Sequence, residues 1–222
     1  MNLTDVLLPL PLVWISHALF WPLLALVIWK APWRRLASNS EVFHVLMGAT
    51  LSLIFLWSMK AGITDGLSLH LIGATLVTLM FGWQFAVLSL CGVLLVITAY
   101  GGAGWEAYAL NGLLFAMLPV GVSYGIFRLV DGRLPNNFFV YIFLCAFFGG
   151  AIAIGTVGVV STLVHGLAGT FAPDYLLHNY LSYFALLLFP EAFLTGMLTT
   201  IFVVYRPGWV CTFDDARYLR NH

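Results

Sequence analysis

The stretch from Leu10 to Trp29, LPLVWISHALFWPLLALVIW, contains no Asp, Glu, Lys or Arg. An α-helix needs about 20 mainly apolar residues to cross the hydrocarbon core of a bilayer, so this stretch predicts a membrane-spanning helix. The pattern continues along the chain, because 62% of the 222 residues are hydrophobic and the 8% that are charged fall between long apolar runs. We therefore expect a single integral membrane domain over residues 1–222. Its predicted fold class is all-α, a polytopic transmembrane helix bundle of about seven helices.

Apolar runs separated by charges, glycines and prolines give seven candidate helices. Their approximate bounds are 10–29, 41–59, 68–82, 84–100, 108–130, 136–167 and 176–205. The third and fourth runs are short and are joined by Phe81-Gly82-Trp83-Gln84, so one re-entrant hairpin is an alternative for this pair. Residues 1–9 precede the first helix, and residues 206–222 form a tail after the last.

The basic residues predict the orientation of the bundle. With the N-terminus outside, eight of the nine lysines and arginines lie in the cytoplasm and only Lys60 lies outside. The eight are Lys30, Arg34, Arg35, Arg128, Arg133, Arg206, Arg217 and Arg220. Since cytoplasmic loops are enriched in Lys and Arg, we expect residues 1–9 outside and the tail in the cytoplasm.

Several function classes receive no support from the sequence. The formal net charge is zero, so no bulk field attracts nucleic acid. There is no glycine-rich P-loop for nucleotide hydrolysis, and the three cysteines lack metal-site spacing. We expect a protein that is not an enzyme and needs no organic cofactor. Met1 to Leu10 carries no Lys or Arg and no small-residue cleavage site, so we expect the N-terminus to be retained.

Polar residues inside apolar runs mark the candidate sites. Four histidines are predicted toward the outer layer of the bundle: His17, His70, His165 and His178. Together they favour a divalent-metal or proton-handling site, although any one of them could be a hydrogen-bonded interfacial residue. Glu191 is the carboxylate deep within a predicted span, next to Pro190, and is interpreted either as a functional acid or as a partner for polar groups at the proline kink. Asn111 completes a possible secondary polar site with His165, His178 and Glu191.

Five segments carry a family resemblance. Residues 69–76, LHLIGATL, followed by Met80-Phe81-Gly82, resemble a His-Leu-x-Gly-x-x-Leu … Gly segment of the cobalt/nickel energy-coupling-factor substrate-binding components, the CbiM/NikM family. Residues 101–104 and 109–112 resemble that family's Gly-Gly loop and Gly-Ala-Asn motif. Residues 190–197 and 204–207 resemble its C-terminal span. The resemblance covers the chain from about residue 1 to residue 205.

The resemblance implies a membrane component that captures Ni²⁺ or Co²⁺ as a transported substrate from outside. It also implies a separate transmembrane coupling protein and cytoplasmic ATPases as partners, with membrane lipid around the bundle. In that family the free N-terminus folds back into the bundle. There the metal is held by the terminal amine, by the backbone nitrogen and imidazole of a histidine at position two, and by a histidine that matches His70. Such nitrogen ligands suit Ni²⁺.

The chain departs from the family pattern at position two, which is Asn2. The Met1 amine, the Asn2 backbone nitrogen and His70 remain as implied ligands, and His17 or Asp5 could replace the missing imidazole. The alternative is an accessory subunit of a larger membrane complex, similar to the family in fold, in which the metal site is degraded. An intramembrane enzyme that uses Glu191 with a histidine is the weakest of the three hypotheses, because no spacing points to a reaction.

Overall fold

A computed structural model describes residues 3, 8–64 and 67–218. Met1, Asn2 and Asp5, three of the residues considered as metal ligands, lie outside the described residues. The helices are α1 Leu10–Lys30, α2 Trp33–Ser38, α3 Ser40–Ser58, α4 Ala74–Phe81, α5 Trp83–Ala99, α6 Tyr108–Arg133, α7 Phe138–Ala168, α8 Pro173–Tyr205 and α9 Asp215–Tyr218. Strands β1 Ala61–Thr64 and β2 Leu67–Leu69 form an antiparallel hairpin between α3 and α4.

The helices confirm the predicted polytopic all-α fold. Among the described residues, α1, α3, α6, α7 and α8 are long and apolar enough to cross a membrane, and α5 is apolar over 17 residues. The last three long helices each contain a wider, π-helical stretch: Leu113–Met117 in α6, Tyr141–Phe148 in α7 and Leu176–Leu181 in α8. Such stretches often occur at functional sites in helices.

The two ends of the bundle are identified by contacts between loops. At the N-terminal face, where α1 begins, Lys60 after α3 donates a hydrogen bond to the carbonyl of Gly102 after α5 (2.8 Å). At the C-terminal face, where α8 ends, the amide of Cys211 donates to the carbonyl of Met80 at the end of α4 (2.9 Å). The chain between Lys60 and Met80 therefore passes from one face to the other.

This passage corrects the predicted third helix. Residues 67–73 are not helical, and the helix is confined to α4. Gly73 sets the boundary because its φ is 69°, in the left-handed region, and a Cβ there would lie 2.6 Å from the Leu53 side chain. Seven extended residues and eight helical ones together reach roughly 35 Å, enough for one crossing. Residues 67–81 are thus one discontinuous span, and the re-entrant hairpin is wrong.

The discontinuous span lies at the centre of the bundle. Helix α4 packs against α5, α6, α7 and α8, and seven of its eight residues are buried. The strand β2 is also largely buried, with Leu67 and Leu69 in the core. Because this region is buried within the bundle, its free backbone groups need partners within the protein.

The contact between α7 and α8 yields a stability prediction. A Cβ added at Gly158 would lie 2.6 Å from the buried ring of Phe184, whereas nothing lies within 4 Å of a Cβ added at Gly48 in α3. Overpacking costs about 1–3 kcal/mol, while Gly→Ala within a helix gains up to about 1 kcal/mol. We expect Gly158→Ala to lower the melting temperature of the detergent-solubilised protein and Gly48→Ala to leave it unchanged or raise it. Equal melting temperatures for the two variants would contradict this packing.

Candidate metal-capture site

Glu191 of α8 binds the backbone of the discontinuous span. One carboxylate oxygen accepts a hydrogen bond from the amide of Ile72 (2.9 Å) and the other from the amide of Gly73 (2.7 Å). The Glu191 side chain is only 2% exposed. It therefore joins two crossings that are more than a hundred residues apart in sequence.

These two hydrogen bonds solve a problem that the broken helix creates. The amides of Gly73, the N-cap residue, and of Ile72 before it have no partner within α4, and the N-cap glycine offers no side-chain cap. In the hydrocarbon region each unsatisfied amide costs several kcal/mol. A carboxylate is well suited to this position, because the N-terminus of a helix carries a partial positive charge. Glu191 thus binds backbone amides just before α4 and not groups at its own proline kink, while its interpretation as a functional acid stays a prediction.

His70 lies on the segment that Glu191 holds, three residues before Gly73. Its side chain is 3% exposed, and its ring centroid lies 4.7 Å from that of Trp57. The Nδ1 atom is 3.0 Å from the carbonyl oxygen of Leu71, which can only accept a hydrogen bond. The neutral ring therefore carries its lone pair on Nε2. Metal-binding histidines commonly donate their second ring nitrogen to a backbone carbonyl in this way.

Asn111 of α6 holds the N-terminal segment inside the bundle. Its Oδ1 accepts from the amide of Leu3 (2.8 Å), and its Nδ2 donates to the carbonyl of Leu3 (3.1 Å). The amide of Gly104 donates to the same carbonyl (3.3 Å). Leu3 and Asn111 are both fully buried. The side-chain amide thus mimics a strand partner for residue 3, a pairing between residues 108 positions apart.

One face of α6 brings these two elements together. Asn111, which binds Leu3, lies one turn before Phe115, whose ring centroid is 6.5 Å from that of His70. Residues four apart on a helix share a face. Leu3 and the His70 segment therefore approach the same part of the bundle.

His165 near the end of α7 is a second buried imidazole. The Thr170 hydroxyl donates to the His165 carbonyl (3.1 Å) and lies 3.1 Å from Nδ1 of the same residue. That hydroxyl therefore accepts from Nδ1, which leaves the lone pair on Nε2. The Nε2 atom is buried and has no hydrogen-bond partner among the described residues. Nothing in the sequence singled out Thr170, because the contact depends on how the chain turns at Gly169.

The other two candidate histidines face outward. His17 is half-buried, and both ring nitrogens are engaged: Nδ1 accepts from Trp21 (2.9 Å), and Nε2 lies 3.2 Å from the carbonyl of Glu106. His178 is exposed, with Nδ1 2.8 Å from the carbonyl of Asp174 one turn earlier. A metal at His17 would have to displace at least one of these hydrogen bonds.

The side chains alone do not build a complete metal site in the described part of the chain. Over residues 3, 8–64 and 67–218, no three His, Cys, Asp or Glu side chains are grouped so that they could hold a metal ion. What the described residues offer is a buried, oriented imidazole at His70, another at His165, and an anchored N-terminal segment at Leu3.

Comparison with known proteins supplies the context. Residues 2–209 match the family model CbiM, described as the cobalt uptake substrate-specific transmembrane region. A crystal structure of a truncated transition metal transporter shares the fold, with a TM-score of 0.75 and 19% identity over 92% of this chain and 98% of that one. A crystal structure of a transition metal transporter gives the same TM-score and identity over 90% and 92% of the two chains. No curated protein matches the sequence.

The cap on α4 yields a prediction about local order. Glu191→Gln replaces one acceptor by an NH₂ group, which cannot accept from a backbone amide, so one buried amide loses its partner at a cost of about 1–3 kcal/mol. We expect a lower melting temperature and faster hydrogen–deuterium exchange in peptides covering residues 70–78. Thr199→Val is the matched control, because the buried Thr199 hydroxyl on the same helix has no hydrogen-bond partner among the described residues. Unchanged exchange in Glu191→Gln would contradict the capping role.

Proposed function

The chain belongs to the CbiM family of cobalt uptake substrate-specific transmembrane regions, and from this premise we propose that it captures Ni²⁺ or Co²⁺ for an energy-coupling-factor transporter. The observation that carries the proposal is the placement of His70. Its imidazole is buried and oriented, and it lies beside the face of α6 that anchors Leu3. A capture site of this kind needs no catalytic residue.

The ligands that we propose come from two parts of the chain: the segment of His70 and the two residues before Leu3. His70 supplies Nε2, while the Met1 amine and the Asn2 backbone nitrogen complete the implied set. Two residues reach at most about 7 Å from the Leu3 Cα, so the anchor at Asn111 limits where the terminal amine can lie. Nitrogen ligands of this type favour Ni²⁺ and Co²⁺ over hard cations such as Mg²⁺.

His165 is the stronger of two candidates for the imidazole that Asn2 does not provide. Its Nε2 is buried and has no partner among the described residues, whereas both nitrogens of His17 already take part in hydrogen bonds. An unpartnered polar atom in a membrane interior is costly unless it binds something. We therefore propose that His165 binds a metal ion or a water molecule through its Nε2 atom.

The distribution of basic residues supports a proposal for the orientation, and the lack of a nucleotide-binding motif supports one for the partners. Of the described basic residues, all except Lys60 lie at the C-terminal face, so we propose that this face is cytoplasmic in a bacterial inner membrane. No P-loop occurs in the chain, so energy must come from elsewhere. We propose a transmembrane coupling protein and cytoplasmic ATPases as the source.

A second candidate function is an accessory subunit that keeps the fold without binding metal. Asn2 in place of histidine favours it, as does the absence of a three-residue metal cluster among the described side chains. The buried, correctly oriented ring of His70 argues against it. Metal titration of the purified protein separates the two candidates.

The central test uses protein purified with its native N-terminus and titrated with Co²⁺ or Ni²⁺ by calorimetry. We expect one ion per chain, loss of binding in His70→Ala and in a variant extended at the N-terminus, and tighter binding in Asn2→His. Because these ligands bind only when deprotonated, affinity should fall as the pH is lowered. His178→Ala is the control, since this histidine is exposed and its Nδ1 lies 2.8 Å from the carbonyl of Asp174. No binding by the wild type or by Asn2→His would favour the accessory subunit.

A second titration distinguishes the two candidate imidazoles. If His165 assists capture, His165→Ala should weaken metal binding by tenfold or more, in the range found when supporting residues of metal sites are lost. His17→Ala should leave the affinity near that of the wild type. The opposite ranking would identify His17 as the replacement ligand and contradict our assignment.

A further inference from the structure

Two neighbouring cavities near the C-terminal face form one amphipathic surface. The first is a groove of about 280 Å³ between α1, α5 and α6, lined mainly by apolar side chains such as Leu26, Val87 and Val120. The second is a cavity of about 440 Å³, which includes the charged residues Arg35 and Arg128. Trp83 and Tyr124 line both cavities, and their ring centroids are 6.4 Å apart.

The charges of the second cavity are not balanced within the described chain. Asp131 is paired with Arg217 at 3.0 Å and also accepts from the hydroxyl of Tyr218. Asp214 uses one carboxylate oxygen to accept from the amide of Ala216. No ion pair of Arg35 or Arg128 is found among the residues that the structure describes.

Arg35 faces into this cavity. Its guanidinium lies beside the thiol of Cys211, where burial raises the pKa of Cys211 and the guanidinium partly opposes that rise. The first turn of α5 begins at the same cavity, with no acidic residue and no side-chain cap. Both features favour a negatively charged group, because the start of a helix adds partial positive charge.

The depth of the apolar groove fits the membrane boundary. Leu26 and Val27 lie within four residues of the end of α1, and Trp83 and Val87 lie in the first turns of α5. At 1.5 Å per residue these positions are within roughly 10 Å of the C-terminal face. Trp83 is the first residue of α5, the position where aromatic side chains of membrane helices commonly meet lipid headgroups.

We propose that this surface binds one phospholipid with an anionic headgroup. The phosphate lies between Arg35 and Arg128, and an acyl chain fills the groove between α1, α5 and α6. The positive charge of the cavity favours an anionic headgroup. Because the cavity continues into the apolar groove, a lipid with an acyl chain fits better than a soluble phosphate. The site is separate from the proposed metal-capture site, so it goes beyond the proposed function and does not depend on it.

The test is native mass spectrometry of the full chain in detergent. Phosphatidylglycerol and phosphatidylcholine with the same acyl chains are titrated separately, and sn-glycerol 3-phosphate serves as the headgroup alone. We expect wild type to prefer phosphatidylglycerol and to bind glycerol phosphate much more weakly. The double variant Arg35→Gln, Arg128→Gln should lose that preference. We expect each arginine to contribute a factor of about five to the ratio of the two lipid affinities.

Two further variants keep the test specific. Arg34→Gln with Arg133→Gln removes the same charge from exposed positions of the same face, outside both cavities, and should retain the preference. A Cβ added at Gly121 would have no neighbour within 4 Å, so Gly121→Leu can fill the groove without a clash. This variant should weaken the binding of both lipids to the same extent. Circular dichroism and gel filtration confirm that each variant is folded.

Four outcomes would overturn the proposal. If wild type bound the two lipids equally, the headgroup would play no role in binding. If the Arg34→Gln, Arg133→Gln control lost the preference for phosphatidylglycerol to the same extent as the Arg35→Gln, Arg128→Gln variant, the preference would come from the overall charge of the face and not from this cavity. Binding of glycerol phosphate as tight as that of the lipid, unaffected by Gly121→Leu, would identify a soluble phosphate ligand. Loss of assembly with a coupling protein in Gly121→Leu, without any change in lipid binding, would assign the groove to a protein helix.

Discussion

The hydrogen bonds from the backbone amides of Ile72 and Gly73 to the Glu191 carboxylate are the constraint on which the rest of the structure depends. They give partners to two buried amides at the point where a membrane crossing changes from extended chain (residues 67–73) to helix (residues 74–81). The extended half presents His70 at the centre of the bundle, where a continuous helix would carry it at a different height and angle. A structural bond at one end of α4 therefore sets the position of the proposed metal ligand.

Two separate anchors thus prepare the proposed site before any ion arrives. Glu191 fixes the segment of His70, and Asn111 fixes Leu3, each through a pair of hydrogen bonds between residues that are far apart in sequence. Ligands that are held in place lose little conformational freedom on binding, which favours affinity. The two transition metal transporter structures share this fold at 19% identity. Close agreement in sequence is therefore not needed to build the bundle.

Hydropathy predicted the spans well because length and apolar content are what a bilayer requires of a helix. The error fell on residues 67–73, since buried extended chain and buried helix have the same composition and differ only in backbone partners. Glu191 was recognisable from sequence as a costly buried acid, but its partners 118 and 119 residues away were not. The histidines show the same limit: the sequence offered His17 as a replacement ligand, which stays a prediction. The orientation of the His165 ring, whose Nε2 has no hydrogen-bond partner among the described residues, depends on a contact with Thr170 that only the fold reveals.

Capture of a metal ion would explain why an oriented imidazole is kept at His70 inside the bundle. X-ray absorption spectroscopy at the cobalt edge, on protein with its native N-terminus loaded with one equivalent of Co²⁺, examines that ion directly. We predict a first shell dominated by nitrogen, with the multiple-scattering features of at least one imidazole that vanish in His70→Ala. A shell of oxygen atoms without imidazole scattering, or a protein that retains no cobalt after desalting, would contradict the account.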